Sequence, residues 1–125
     1  MDLQDKRFPL WKSFNFALIG IQTALRTERN MRIHLLVSLI VIGCSIFFSI
    51  SKTEWLFVIV AIGGVFSLEL INTAIETIVD LITKEYHPLA KQAKDIAAGA
   101  VFIYTVTAVV VGIFIFIPYF FDWLF

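Results

Sequence analysis

Three carboxylates and one amide lie on a single face of a predicted helix that is otherwise apolar. Glu69, Asn72, Glu76 and Asp80 are spaced i, i+3, i+7 and i+11, and at about 100° per residue they fall within an arc of roughly 80°. A carboxylate near the centre of a bilayer costs roughly 2.5–3.5 kcal/mol on insertion scales. This polar stripe therefore predicts a face turned towards a protein interior, a cation or a polar substrate.

The members of the polar stripe are expected to have different roles. Glu69 and Glu76 are seven residues apart, roughly 10 Å along a helix axis, so one ion cannot easily bind both. Glu69 lies deeper in the apolar stretch, where desolvation favours the protonated form of a carboxyl group, and this suits a general base. Glu76 and Asp80 lie nearer the aqueous interface, where a carboxylate suits Mg²⁺, a hard cation that prefers oxygen ligands and phosphates.

Glu28 is a conspicuous acidic residue outside the stripe. It follows a predicted amphipathic helix and has Arg26, Arg29 and Arg32 around it. It either completes a metal site or pairs with these arginines. Charge alone favours the ion pair.

The segment 85–95 is the second place where polar side chains gather. Pro88 is well placed at a helix start, and in a helix that continues from it Lys91, Lys94, Asp95 and Ala98 share a face. A helix N-terminus with a lysine is a plausible phosphate-binding arrangement. The alternative is a solvated connection whose lysines only set membrane topology. No Walker nucleotide motif is present in the sequence.

The composition indicates what kind of fold must position these residues. The chain has 125 residues, 59% of them hydrophobic and 16% charged, with a net charge of zero, and this is too apolar for an ordinary soluble domain. The zero charge gives no global field that would favour nucleic acid. We expect one all-α membrane domain over residues 1–125, with transmembrane helices at about 33–50, 55–82 and 96–121.

The distribution of Lys and Arg predicts the orientation. Only Lys52 lies in the first connection, whereas the other basic residues lie before the first span (Lys6, Arg7, Lys12, Arg26, Arg29 and Arg32) or in the second connection (Lys84, Lys91 and Lys94). Under the positive-inside rule the N-terminus and the second connection are therefore cytoplasmic and the C-terminus is outside. Residues 9–28 have helical apolar spacing with polar residues interleaved. They predict an amphipathic helix on the inner membrane surface, the alternative being a mere anchor.

Pattern alone leaves two classes of protein open. One is an enzyme that acts on a membrane lipid with a cytoplasmic phosphate donor. The other is a small cation- or proton-coupled transporter, which would need polar groups that continue to the far side of the membrane. Residues 55–66 carry no charged side chain, and this favours a one-sided interfacial site and hence the enzyme.

The polar stripe and the segment after it carry a resemblance to a known family. The run Glu69-Leu-Ile-Asn-Thr-Ala-Ile-Glu76, followed by Asp80, Glu85-Tyr-His and Ala-Lys94-Asp95, closely resembles the signature of the bacterial diacylglycerol kinases, small three-span membrane kinases unrelated to soluble kinases. The resemblance covers almost the whole chain. It implies a homotrimer with active sites at subunit boundaries, Mg²⁺·ATP as phosphate donor and a lipid alcohol as acceptor.

The resemblance also implies roles for single residues at matching positions. Glu69 resembles the general base that takes the lipid hydroxyl proton, and Glu28 and Glu76 resemble the metal ligands that position ATP. The implied ATP contacts are Glu28, Glu76, Glu85, Tyr86, His87, Lys94 and Asp95, and the implied supporting polar residues are Asn72, Asp80 and Lys12.

The acceptor is implied by the branch of the family that the chain resembles. The stretch from Phe14 to His34 resembles the Gram-positive branch, whose members are similar to undecaprenol kinases. Ala97-Ala98-Gly99 stands where the proteobacterial branch, which phosphorylates diacylglycerol, tends to have a serine. A loss of polar groups near the acceptor fits a polyprenol, which has one hydroxyl on an apolar tail. Undecaprenol is therefore the expected acceptor and diacylglycerol the alternative.

Overall fold

The protein is all-helical over residues 9–125, which are those described by the computed structural model. Four helices follow one another: α1 (Leu10–Thr27), α2 (Arg29–Phe47), α3 (Lys52–Ile82) and α4 (Pro88–Leu124). The last three are long and apolar enough to cross a membrane, which confirms the prediction of three spanning helices. Two of the basic residues used to predict orientation, Lys6 and Arg7, lie outside the described residues.

α1 and α2 are separated by a single extended residue, Glu28, with φ −106° and ψ 118°. Its amide still donates to the Ala24 carbonyl at 2.8 Å. Arg32 holds the corner, since its Nη1 donates to the carbonyl oxygens of Leu25 at 3.1 Å and Arg26 at 2.8 Å, two orphan carbonyls of the last turn of α1. α2 thus begins at Arg29 and not near residue 33, because the charged residues before the apolar stretch are already helical.

The end of the bundle opposite Glu28, called the far end, is a closed turn between α2 and α3. Ser49 has a positive φ of 50°, and the amides of Ser49 and Ile50 bond back to the carbonyls of Ile46 and Ser45 at 3.1 and 3.2 Å. This pattern is a Schellman motif that ends α2 at Phe47. The small buried core of Ile50, Val58 and Ile115 lies beside it.

α3 begins at Lys52 because a capping box precedes the apolar residues. Ser51 Oγ accepts from the Glu54 amide at 3.2 Å, and Glu54 Oε1 accepts from the Ser51 amide at 3.0 Å. The same Glu54 oxygen accepts a hydrogen bond from Tyr119 Oη of α4 at 2.5 Å. The far end therefore ties α3 to α4 as well as to α2.

α4 starts at Pro88 and runs without interruption into the third span, as predicted from the proline. The connection between α3 and α4 is consequently 83–87, shorter than the interval of 83–95 between the two predicted spans. α3 and α4 pack closely, since the Tyr104 ring occupies the space where a side chain at Gly64 would lie, and Tyr104 Oη donates to the Val60 carbonyl at 2.8 Å.

The lengths of the helices decide which residues can reach water. At 1.5 Å per residue α2 is about 28 Å long, α3 about 46 Å and α4 about 55 Å, whereas the hydrocarbon core of a bilayer is about 30 Å thick. α2 just spans this core. α3 and α4 are both longer than this core is thick, so neither helix can lie wholly within it if it runs along the membrane normal.

Candidate active site

Burial changes steadily along the polar stripe. Glu69 is 2% exposed and Asn72 is 7% exposed, Glu76 is half-buried and Asp80 is exposed. The stripe thus runs from the interior of the bundle at Glu69 to its surface at Asp80. The expectation that its deepest carboxylate faces a protein interior agrees with this placement.

Glu69 meets a histidine from the neighbouring helix α2. His34 Nε2 lies 3.5 Å from Glu69 Oε2, and the side chains are 18% and 3% exposed respectively. His34 was not among the residues predicted for the site from the sequence. A signal did exist, because a lone histidine inside an apolar span must find a polar partner in the bundle.

The next residues of the stripe form a cluster of hard oxygen atoms. Asn72 Nδ2 donates to Glu76 Oε1 at 3.3 Å, and this leaves Asn72 Oδ1 buried without a hydrogen-bond partner within the described residues. The carboxylates of Glu28 and Glu76 both act electrostatically on Glu69, so the three acidic groups lie in one region. Such a set is suited to a cation that relieves the repulsion and binds the free amide oxygen.

The donor set fits Mg²⁺ that arrives with phosphates. Among residues 9–125 no group of three or more His, Cys, Asp or Glu side chains is placed to hold a metal ion. Mg²⁺ ordinarily needs only one or two carboxylates, because waters and substrate phosphates complete its octahedral shell. Glu28 and Glu76 are the carboxylates nearest the surface of the cluster and are therefore the residues that would hold it.

Glu28 is free of the ion pair that charge alone favoured. The ion pairs of the described chain do not join it to Arg26, Arg29 or Arg32, because Arg32 is bonded to the carbonyls at the end of α1. Glu28 is half-buried at the corner between α1 and α2. Its carboxylate is close enough to act electrostatically on Glu69.

Two ion pairs lie where α3 and α4 reach the surface. Lys94 Nζ is 2.6 Å from Asp80 Oδ1, which joins the end of the stripe to α4, and Lys91 Nζ is 2.5 Å from Asp95 Oδ2 within α4. Lys94 and Asp95 were expected to contact the nucleotide, Lys91 to share their face of the helix, and Asp80 to support the same site. The structure brings Lys94 to the stripe and gives Asp80 a lysine partner.

The remaining predicted nucleotide residues lie in the exposed connection. His87 caps α4, since its Nδ1 accepts from the Leu89 amide at 3.1 Å, and Glu85 donates its amide to Thr83 Oγ1 at 3.2 Å. Tyr86 is 80% exposed. These residues are presented to the solvent at the same end of the bundle as Lys94.

Lys12 is separate from this group. Its Nζ lies 5.7 Å from the centroid of the Trp11 ring, and no hydrogen bond or ion pair connects it to the stripe in the part of the chain that is described. The single chain therefore does not bring Lys12 to the site.

A cavity of about 270 Å³ opens beside Glu69, and we call it the polar cavity. Its lining comes from α2, α3 and α4 and includes Asn30, His34, Glu69, Asn72, Ala98 and Thr105. A buried carboxylate with a histidine partner at the wall of a cavity can accept a proton from a hydroxyl group placed there. The oxygen cluster beside it can bind a cation and the phosphates that the cation carries.

Comparison with known proteins gives one consistent family. The family model for prokaryotic diacylglycerol kinase matches residues 15–116. An undecaprenol kinase of Bacillus subtilis is 48% identical over 121 residues, which are 94% of this chain and 98% of that protein. A diacylglycerol kinase of Synechocystis is 41% identical over 80% of this chain and 58% of its own length. A diacylglycerol kinase of Haemophilus influenzae is 35% identical over 75% of this chain and 80% of its own length.

Proposed function

The chain belongs to the prokaryotic diacylglycerol kinase family and is a membrane lipid kinase, and from this premise we propose that it transfers the γ-phosphate of ATP to undecaprenol. The observation that best supports phosphate transfer to a hydroxyl group is the placement of Glu69. Its carboxylate is 2% exposed within an apolar bundle, lies on the wall of a cavity and is next to a histidine. The choice of acceptor is supported by the similarity over nearly full length to a protein named undecaprenol kinase.

The proposed reaction is a direct in-line transfer. The acceptor hydroxyl enters the polar cavity and gives its proton to the Glu69 carboxylate while its oxygen forms a bond to the γ-phosphorus. The bond between that phosphorus and the β,γ-bridging oxygen breaks, and ADP leaves with the bonding electrons. His34 holds the Glu69 carboxylate in place from α2, which fixes the distance between base and hydroxyl.

The phosphates are bound at the surface end of the stripe. Mg²⁺, when bound, neutralises charge that develops on the phosphoryl oxygens. Glu28 and Glu76 would hold it, and the free Asn72 Oδ1 is available beside them. Lys94 adds positive charge at the start of α4, and Glu85, Tyr86, His87 and Asp95 lie at the same end for contact with the nucleotide.

The assembly and orientation are part of the same proposal. A homotrimer with sites at subunit boundaries, which the family resemblance implies, would allow Lys12, separate from the stripe in the single chain, to approach the site of a neighbouring subunit. The Lys and Arg distribution supports a cytoplasmic N-terminus and an outer C-terminus in the bacterial cell membrane. α1 would lie on the cytoplasmic surface.

Diacylglycerol is the second candidate acceptor. It is favoured by one finding, namely that relatives named diacylglycerol kinases match 75–80% of the chain at 35–41% identity. The reaction and the roles of the residues would be the same, with phosphatidic acid as product.

The experiment that tests the function is transfer of labelled γ-phosphate from Mg²⁺·ATP by purified protein in mixed micelles. Undecaprenol and diacylglycerol are offered separately. We expect strong labelling of undecaprenol and weak labelling of diacylglycerol, and the reverse order would make the second candidate correct. The matched variant Glu69→Gln should bind ATP and lose turnover by roughly 10²–10⁴-fold. Normal turnover by this variant would contradict the role of Glu69 as base.

A further inference from the structure

A second cavity lies deeper in the bundle than the polar cavity. It has a volume of about 180 Å³ and is surrounded by α2, α3 and α4. We call it the apolar cavity, because aliphatic and aromatic groups dominate its wall, among them Val41, Val58, Ala61, Ala108, Gly112 and Phe116. None of the residues proposed to bind nucleotide or metal lines it.

The two cavities share part of their walls. His34 and Thr105 line both of them, and His34 is also the partner of Glu69. From these two residues the apolar cavity extends away from the stripe, to Val41 along α2 and to Phe116 along α4. These distances correspond to about 10 Å and about 16 Å of helix. The apolar cavity is therefore adjacent to the polar cavity at Glu69, on the side away from the surface end of the stripe.

Small residues on α3 and α4 create this space. Ala61, Ala108 and Gly112 all contribute to its wall, and a methyl group placed on Gly112 would meet no atom within 4 Å. The volume is comparable to the apolar cavity of about 150 Å³ that stays dry and binds benzene in an engineered protein. The apolar cavity thus has room for one branched unit of about five carbon atoms.

We propose that the apolar cavity binds the isoprenoid unit that carries the hydroxyl group of the acceptor. The proposal rests on the proposed function and goes beyond it, because it assigns the residues that select the lipid. An isoprenoid unit is branched and has no polar atom other than its hydroxyl oxygen, which remains in the polar cavity at Glu69. The remainder of the tail would pass out between the helices into the membrane.

The same cavity disfavours a diacylglycerol. Ester carbonyl oxygens lie only a few bonds from its free hydroxyl, so they would enter the apolar cavity together with the chain. Apart from His34, Ser38 and Thr105 the wall offers no polar side chain to receive them. A buried carbonyl without a hydrogen-bond partner is unfavourable. The protein therefore distinguishes a polyprenol from a diacylglycerol by the first carbon atoms after the hydroxyl group and not by the rest of the tail.

The kinetic test uses two glycines that differ only in their surroundings. Gly112→Leu adds a bulky side chain at the wall of the apolar cavity. Gly43→Leu is a matched control, because a methyl group placed on Gly43 also meets no atom within 4 Å and Gly43 lines neither cavity. We expect Gly112→Leu to raise the KM for undecaprenol at least tenfold and to leave the KM for ATP unchanged. The control should change neither value.

Two outcomes for these variants would overturn the proposal. An unchanged undecaprenol KM in Gly112→Leu would show that the acceptor does not enter the cavity. If Gly112→Leu instead changes the oligomeric state in size-exclusion chromatography while Gly43→Leu does not, the space is a contact for a second copy of the chain. In that case it does not hold the substrate.

A binding test is independent of phosphate transfer. A polyprenol with a diazirine on its hydroxyl-bearing unit is irradiated with the protein in the absence of ATP, and the adducts are located by mass spectrometry. We expect adducts within 58–65 and 105–116 that are lost in Gly112→Leu and retained in Gly43→Leu. Adducts confined to other surfaces would overturn the proposal. Adducts at the cavity together with no phosphorylation of undecaprenol would overturn the proposed function and leave the cavity assignment standing.

Discussion

The contact between Gly64 and Tyr104 makes a sharp prediction about how α3 and α4 are held together. A methyl group on Gly64 would overlap the Tyr104 ring, and that ring is fixed by the hydrogen bond from its hydroxyl to the Val60 carbonyl. Gly64→Ala therefore forces the ring to leave and breaks this bond between the helices. The neighbouring Gly63→Ala is a matched control, since a methyl group there meets nothing within 4 Å.

The expected change in the free energy of unfolding follows from three contributions. Overpacking in a close-packed contact costs about 1–3 kcal/mol, and an interhelical hydrogen bond in a membrane protein contributes about 0.6 kcal/mol. Alanine is favoured over glycine in a helix by about 0.8–1.0 kcal/mol, which offsets part of the loss. Gly64→Ala should thus be destabilised by roughly 1–3 kcal/mol, whereas Gly63→Ala should be stabilised by somewhat less than 1 kcal/mol or unchanged.

The assay is reversible unfolding in mixed micelles of increasing denaturing-detergent fraction, followed by circular dichroism. The double variant Gly64→Ala with Tyr104→Ala completes a mutant cycle. Since the ring is absent in that background, the penalty of Gly64→Ala should disappear there. A Gly64→Ala protein as stable as Gly63→Ala, or a penalty that persists without the Tyr104 ring, would refute the reasoning.

Three further predictions concern the site and the far end. Glu76→Gln keeps a hydrogen-bond acceptor for Asn72 but removes a negative charge. The Mg²⁺ concentration for half-maximal activity should therefore rise at least about 10-fold. An unchanged Mg²⁺ titration would contradict a role for Glu76 as a metal ligand. His34→Leu should lower kcat by up to about 100-fold, because Glu69 is no longer held in position, and should leave the KM for ATP unchanged. His34→Gln keeps a hydrogen-bond donor and should recover most of the activity. Equal loss of activity in both variants would contradict a positioning role. Tyr119→Phe removes the donor to Glu54 and should lower the melting temperature with kcat retained, which thermal unfolding and the transfer assay check together.

The sequence predicted those features that depend on residues close together in the chain. The polar stripe follows from helical spacing alone, and its burial at Glu69 agrees with the cost of a carboxylate in lipid. Pro88 predicted the start of α4 because proline has no amide to contribute at the first turn. The capping box of Ser51 and Glu54 was present in the sequence but was interpreted only as a connection, and this is why α3 starts three residues earlier than expected.

Contacts between distant residues were not predictable in the same way. His34 is 35 positions before Glu69, and its role depends on the relative rotation of α2 and α3, which periodicity within each helix does not determine. Lys94 was expected at a phosphate, but its pairing with Asp80 depends on how α4 packs on α3. The ion pair expected for Glu28 was based on charge alone. Arg32 instead donates to backbone carbonyl oxygens at the end of α1, and a count of charged residues does not include these acceptors.

The tightly bonded turn at the far end has a mechanical consequence for the opposite end. There α2, α3 and α4 are joined by the Schellman turn, the capping box and the Glu54–Tyr119 hydrogen bond. At the end with the stripe, α3 and α4 are joined by the 83–87 connection and the Lys94–Asp80 pair, whereas α2 is tied to α3 by the His34–Glu69 contact. Thermal bending of three rods fixed at one end is largest at the other. Because α3 and α4 are linked directly at the stripe end, we expect α2 to be the helix that moves most easily away from them there, at the end where the proposed function places the nucleotide, while the far end holds the bundle together.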